Sequence, residues 1–149
     1  MDRPYDLIVF GATGFTGRLV AEYLQSAHGS DASLRWAIAG RSAAKLAEVR
    51  DALGLPADLP LLVADASDAE ALRGLVASAR AVITTVGPYQ LYGEALIRTC
   101  AEAGTDYVDL CGEPGWMAKM IPLLQDNARA SGARIVFSCG FDSIPFDLG

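Results

Sequence analysis

Short apolar runs rich in β-branched residues alternate along this chain with longer stretches in which apolar residues recur every three or four positions. The runs are Leu7 to Phe10, Arg35 to Ala39, Leu61 to Ala64, Ala81 to Val86, Tyr107 to Leu110 and Arg134 to Ser138. A short apolar run bounded by turn residues marks a strand covered on both faces, and alternation with helical segments marks β-α-β units and a parallel sheet. Six such strands predict one doubly wound α/β sheet with helices on both faces. Right-handed crossovers then dictate the order 3-2-1-4-5-6, with ligands at the carboxyl ends of the strands near the point where the order reverses.

The helical stretches carry their own expectations. The helix after Gly14 is expected to bury Phe15, Leu19, Val20 and Leu24, and the next to bury Leu46, Val49 and Leu53 before a left-handed stop at Gly54. Ser67 followed three residues later by Glu70 predicts a capping box for a third helix whose apolar face is Leu72, Leu75 and Val76. A fourth helix is expected to end near Ala103 at Gly104. A fifth lies between Trp116 and Gly132, with Pro122 either opening a new helical segment or kinking the old one.

Composition narrows the class. At 149 residues the chain suits one domain, and 52% hydrophobic residues without repeats or low-complexity tracts indicate a packed core. A net charge of −6 with scattered Lys and Arg argues against a nucleic-acid surface. Cys100, Cys111 and Cys139 form neither a C-x-x-C pair nor a metal spacing with histidine, as expected for thiols in a reducing cytosol. No secretory leader pattern opens the sequence, and no run reaches the roughly 18 to 20 apolar residues of a membrane span. A cytoplasmic location is the expectation.

The chemistry concentrates at the predicted strand ends. Gly11-Ala12-Thr13-Gly14-Phe15-Thr16-Gly17 follows the first strand and opens a helix, the context of a Rossmann dinucleotide turn. Its glycines permit the tight turn, the approach of backbone to a pyrophosphate, and close packing of helix on strand. The bland alternative is a glycine-rich turn without a ligand. The second strand ends in Gly40-Arg41-Ser42, where an NAD site would place an acid for the ribose 2′-hydroxyl. Arg41, Ser42 and Lys45 offer cations and a hydroxyl suited to a phosphate, so NADP(H) is expected over NAD(H). Alternatively, Arg41 is a solvated charge and Ser42 a helix cap. Asp65 is placed to accept from the adenine amino group, or to serve as a turn residue. Val86, Gly87 and Pro88, at the end of the fourth strand, would wall the nicotinamide ribose, unless they form a plain turn. Tyr89 and Tyr92 either line a substrate pocket or pack beneath the loop.

Glu113, after the fifth strand, suits either general acid–base work or complementation of a helix dipole. Asp142 and Ser143 read as ordinary caps, and His28 lies too early to join either. None of the five tyrosines has a lysine four residues on; those positions hold Val9, Ala27, Gly93, Leu96 and Cys111. This disfavours a catalytic short-chain dehydrogenase and, with it, an epimerase-like enzyme.

Taken together, Gly11 to Gly17, Trp36 to Ser42, Val86-Gly87-Pro88-Tyr89 with Tyr92-Gly93-Glu94, Gly112-Glu113-Pro114 and Gly140 to Pro145 resemble the N-terminal region of saccharopine dehydrogenase-like oxidoreductases. That family includes the trans-acting enoyl reductases of bacterial lipid synthesis. The resemblance implies an NADP-binding domain, residues 1–149, followed in family members by a second, catalytic domain that covers the cleft and often supports a homodimer. It also implies a small-molecule, lipid-like substrate whose carbon-carbon double bond is reduced. The last residues, Phe146-Asp147-Leu148-Gly149, fall where a further helix would begin, and the fragment alone is expected to be inactive. A protein of the same fold that senses NADP(H) without turnover is the competing expectation.

Overall fold

The computed structural model describes residues 3–29 and 33–148. Strands β1 (Tyr5–Phe10), β2 (Trp36–Gly40), β3 (Leu61–Val63), β4 (Ala79–Thr84), β5 (Asp106–Asp109) and β6 (Ile135–Val136) form one sheet. Its pairings are all parallel and its order is β3-β2-β1-β4-β5-β6. Between and after them run α1 (Phe15–His28), α2 (Ala43–Ala52), α3 (Ala69–Ala77), α4 (Tyr89–Tyr92), α5 (Glu94–Ala103), α6 (Pro114–Ser131) and α7 (Ile144–Leu148). This is the expected Rossmann-type architecture. The helix anticipated at the end of the chain is α7, while Gly149 lies outside the described residues.

The continuous apolar strands reflect burial on both faces. Ile8 and Phe10 join Leu72, Val76, Ile97 and Met120 in a core beneath α3, α5 and α6. Val9 and Ile38, on the opposite face, join Ala21, Leu24 and Leu46 beneath α1 and α2. The sheet is the middle of three layers.

The α1 face departs from expectation. Leu24 is buried and Val20 packs against the core, but Phe15 is 82% exposed and Leu19 48%. The buried line is instead Gly17, Ala21 and Leu24. Spaced at four and three residues, these small and medium side chains let α1 lie close to the sheet, and that turns Phe15 and Leu19 to the opposite side. The start of α3 also shifts by one residue. Asp68, not Ser67, is the cap, accepting from the amides of Glu70 and Ala71 at 3.0 Å each. Ser67 is engaged by Asp65, which accepts from both its amide and its hydroxyl.

Strand limits follow from pairing. The register of β4 on β1 runs from Tyr5↔Ala79 to Phe10↔Thr84, so β4 starts earlier than its apolar run suggests and leaves Thr85 to Gly87 beyond its end. β6 shrinks to two residues because Ser138 turns to a φ of 59°. Its amide donates to the Asp109 carboxylate at 2.8 Å and the Cys139 amide to the Asp109 carbonyl at 2.7 Å. Pro122 neither starts nor ends a segment: it lies inside α6, one helix from Pro114 to Ser131. Gly104 and Gly132, with φ of 69° and 82°, close α5 and α6 in left-handed caps. The two ends touch: a Cβ on Gly104 would lie 2.7 Å from the Ser131 carbonyl oxygen, and the Ser131 hydroxyl donates to the Ala101 carbonyl at 2.5 Å.

Candidate functional site

The carboxyl ends of β1 to β4 open into a cleft of about 480 Å³, within the range of roughly 300 to 1,000 Å³ typical of small-molecule sites. Its floor is the turn between β1 and α1. Gly11 adopts a φ of 92°, and a Cβ there would come within 2.7 Å of the Thr85 hydroxyl and 2.8 Å of a Val86 methyl carbon. Only glycine combines that conformation with that proximity. The Gly11 amide donates to the Ala39 carbonyl at 2.9 Å, and the Thr85 hydroxyl donates to the Gly11 carbonyl at 3.2 Å. The turn is thus tied to both β2 and the β4 exit.

Gly17 is buried for a second steric reason: a Cβ would stand 2.1 Å from the Gly11 carbonyl oxygen. Its absence brings the first turn of α1 against the loop. Gly14, exposed and lining the cleft, is the N-cap of α1 and supplies no side-chain hydrogen bond to it. The amides and positive dipole end of a 14-residue helix therefore have no capping side chain, the physical requirement for holding an anion.

Arg41 lines the next wall, at the end of β2, and is exposed. Its guanidinium makes no hydrogen bond among the described residues. Across from it, the Asp65 carboxyl is held below the usual carboxylate range by its bonds from the Ser67 hydroxyl and amide, with the nearby charge of Arg41 adding to the effect. Ser42 caps α2 by accepting from the Lys45 amide at 3.3 Å. Neither Ser42 nor the exposed Lys45 lines the cleft itself.

The far wall is Thr85, Val86, Gly87 and the half-exposed Tyr92. The Gly87–Pro88 peptide bond is cis, and exposed Pro88 is the N-cap of α4. Tyr89 is buried, its hydroxyl donating to the Thr84 carbonyl at 3.1 Å and accepting from the Leu110 amide at 3.4 Å. Burial drives the Tyr89 phenol above its ordinary pKa, which leaves it a structural rather than an ionising group. The two tyrosines thus divide the roles expected of them: Tyr92 faces the cleft and Tyr89 packs.

Glu113 stands at a helix start, as its dipole reading expects, but its hydrogen bonds go to a neighbouring element. It is the N-cap of α6 yet makes no side-chain bond to that helix. Its carboxylate accepts from the amides of Tyr89 at 2.7 Å and Gln90 at 2.9 Å, at the start of α4. Behind it, buried Asp109 accepts from the Tyr107 hydroxyl at 2.7 Å, the Ser138 amide at 2.8 Å and the Cys111 amide at 3.0 Å.

Of the residues singled out in sequence, the fold gathers Gly11, Thr13, Gly14, Arg41, Asp65, Val86 and Gly87 around one cleft. Phe15 and Thr16 face solvent at the start of α1, Gly17 lies beneath the turn, and Ser42, Lys45 and Pro88 flank the cleft without lining it. Phe10, Gly40, Ala66, Ser67 and Thr85 also line it. Gly40 and Thr85 adjoin motifs recognised in the sequence, whereas Ser67 was concealed by its plausibility as a cap. Among the described residues no group of His, Cys, Asp and Glu could hold a metal ion, and no helix is long and apolar enough to cross a membrane. Burial pushes the Cys100 thiol up to about 12, and the Cys111 and Cys139 thiols also rise, opposite to the shift that makes a cysteine nucleophilic.

Comparison with known proteins agrees with this geometry. The family of the saccharopine dehydrogenase NADP binding domain matches residues 7–136. A trans-acting enoyl reductase of Mycobacterium tuberculosis is 50% identical over 148 residues, covering 99% of this chain and 35% of that protein. Its counterpart in Mycobacterium leprae is 48% identical over 147 residues, covering 98% of this chain and 34% of that protein. The chain thus spans about a third of the length of these relatives. Among solved structures, the L-Glu-forming saccharopine dehydrogenase of Saccharomyces cerevisiae shares the fold, with a TM-score of 0.71 at 16% identity over 93% of this chain and 28% of that one. The sheet order, the glycine turn under its uncapped helix and the match over residues 7–136 lead to one assignment: the chain belongs to the saccharopine dehydrogenase NADP-binding domain family.

Proposed function

We propose that this domain binds NADP(H) in preference to NAD(H) and presents its nicotinamide for reduction of a carbon-carbon double bond on a lipid-like substrate. The observation that carries the preference is Arg41, a cleft-lining guanidinium without a hydrogen-bond partner among the described residues, at the strand end where NAD sites place an acid. The Gly11–Gly17 turn and the uncapped α1 amides would hold the pyrophosphate, with Thr13 beside it. Arg41, flanked by Ser42 and Lys45, would pair with the 2′-phosphate, for which a planar fork is better suited than a point charge. Asp65, with one oxygen committed to Ser67, keeps the other for the adenine edge. Thr85, Val86 and Gly87 would wall the nicotinamide ribose and exclude water on that side, with Pro88 fixing the exit of the loop.

When bound, the cofactor supplies hydride transfer, and the domain supplies orientation. Enoyl reduction is supported by the relatives' designation, the lipid-like substrate extends the resemblance drawn from the sequence, and the three free thiols suit a cytoplasmic setting. A second domain, in a protein of the relatives' length, would close over the cleft, contribute proton donors and provide a dimer surface.

Calorimetric titration of the chain with NADPH and with NADH tests the preference. NADPH should bind about 10- to 100-fold more tightly, and Arg41→Glu should remove most of that ratio. An unchanged ratio in the variant would refute the role given to Arg41.

A further inference from the structure

Glu113 belongs to neither the dinucleotide turn nor the phosphate-facing wall, and its carboxylate is committed to an unusual task. Carboxylates near a helix start commonly complement their own helix. This one caps none of α6 and reaches across to two consecutive amides, those of Tyr89 and Gln90, at 2.7 and 2.9 Å. Two short, charge-assisted bonds to adjacent backbone groups fix two successive peptide planes in position and orientation.

Those planes end the segment that forms the far wall of the cleft. Thr85 to Pro88 has two anchors. At its beginning, Thr85 donates through its amide to the Phe10 carbonyl at 3.0 Å and through its hydroxyl to the Gly11 carbonyl at 3.2 Å. At its end stand the two amides held by Glu113. Between these anchors, Val86 and Gly87 face the cleft, with the Val86 amide donating to the Thr84 hydroxyl at 3.3 Å, and the far end of the segment is held by a carboxylate from the loop after β5.

We infer that Glu113 is a positioning residue for the nicotinamide half of the cofactor: by holding the Tyr89 and Gln90 amides it sets the Val86–Gly87 wall, without touching the adenine half. The inference rests on the cofactor reading above. It separates the two ends of the ligand, because Arg41 and Asp65 lie on the other side of the Gly11 turn and receive nothing from Glu113.

The test compares two ligands on the unsubstituted chain and on Glu113→Gln and Glu113→Ala. NADPH engages both halves of the cleft, whereas adenosine 2′,5′-bisphosphate engages only the adenine half. The expected result is a rise of about tenfold in the NADPH Kd in both variants, a ~1.4 kcal/mol change, with the Kd of the bisphosphate within about twofold of the original. Equal weakening of both ligands would mean that Glu113 only stabilises the fold and would overturn the inference, as would an unchanged NADPH Kd. If the variants fail to fold, hydrogen exchange on the unsubstituted chain decides. Slowing of exchange in residues 85–92 by NADPH but not by the bisphosphate supports the inference, and slowing by both or by neither overturns it. Failure of both ligands to bind the unsubstituted chain would instead overturn the cofactor reading and this inference with it.

Discussion

The two edges of the sheet use carboxylates in opposite ways. At the amino edge they face arginines. Asp6 is bonded by Arg35 and lies 3.3 Å from Arg80, and Asp106 is bonded by Arg134. Arg3 adds bonds to the Ala103 and Gly104 carbonyls. At the carboxyl edge, Asp65, Asp109 and Glu113 all accept from backbone amides, and Arg41 has no hydrogen-bond partner among the described residues. The acids named at the amino edge pair with arginines as well as with the Arg35 and Arg134 amides; those named at the carboxyl edge shape loops and leave Arg41 available. That difference separates the edge that ties strands together from the edge that meets a ligand.

The strongest test of the comparison is steric. Gly17→Val would drive a Cβ into the Gly11 carbonyl, 2.1 Å away. It should destabilise the domain by about 3 kcal/mol in urea unfolding and abolish NADPH binding in calorimetry. A variant of native stability that binds normally would mean that the turn does not require that contact. Next in size is Asp109→Ala, which strands buried donors on Tyr107 and Cys111 and a half-buried one on Ser138. A loss of about 2–3 kcal/mol is expected from urea unfolding, and a loss below 1 kcal/mol would remove Asp109 from its place as an organiser of the carboxyl edge.

The amino edge should respond more weakly and with pH. The Arg35 side chain and amide, bonded to Asp6, hold its carboxyl at about 2, below its ordinary 3.8. A depressed carboxyl contributes stability that is present above the unfolded pKa and lost as pH falls through the folded one. Asp6→Asn should therefore lower the Tm slightly at pH 7, and the gap should shrink from about pH 4 downward and close only below about pH 2. A gap that stays at its full size down to pH 2 would mean that the Asp6 contribution is not ionic.

Most of the fold could be read from the chain because its signals are local. Short apolar runs specify strands buried on both faces, and the handedness of crossovers orders them. What escaped were choices between neighbours. Phe15 and Leu19 have the right spacing for a buried face, but the demand for close approach at Gly17 selects the other side of the helix. Ser67 and Asp68 are both competent caps, and the turn made by Asp65 decides between them. The cleft was legible where glycines and Arg41 follow strands in sequence. The Glu113 contact was not, because it joins residues 23 and 24 positions apart through backbone amides, which carry no side-chain signature.

The abutting ends of α5 and α6 constrain how sequences of this kind can vary in length. With Gly104 lodged against the Ser131 carbonyl and the Ser131 hydroxyl bonded to Ala101, an added residue near either terminus would rotate its cap away from its counterpart. The two helices are thus coupled in length, and an insertion in one calls for a matching change in the other. The loop between α2 and β3 is pinned by buried Leu55 and Leu59, but at Gly54, where the space around the Cβ position is open, no second helix end stands opposite, and there an insertion would be absorbed.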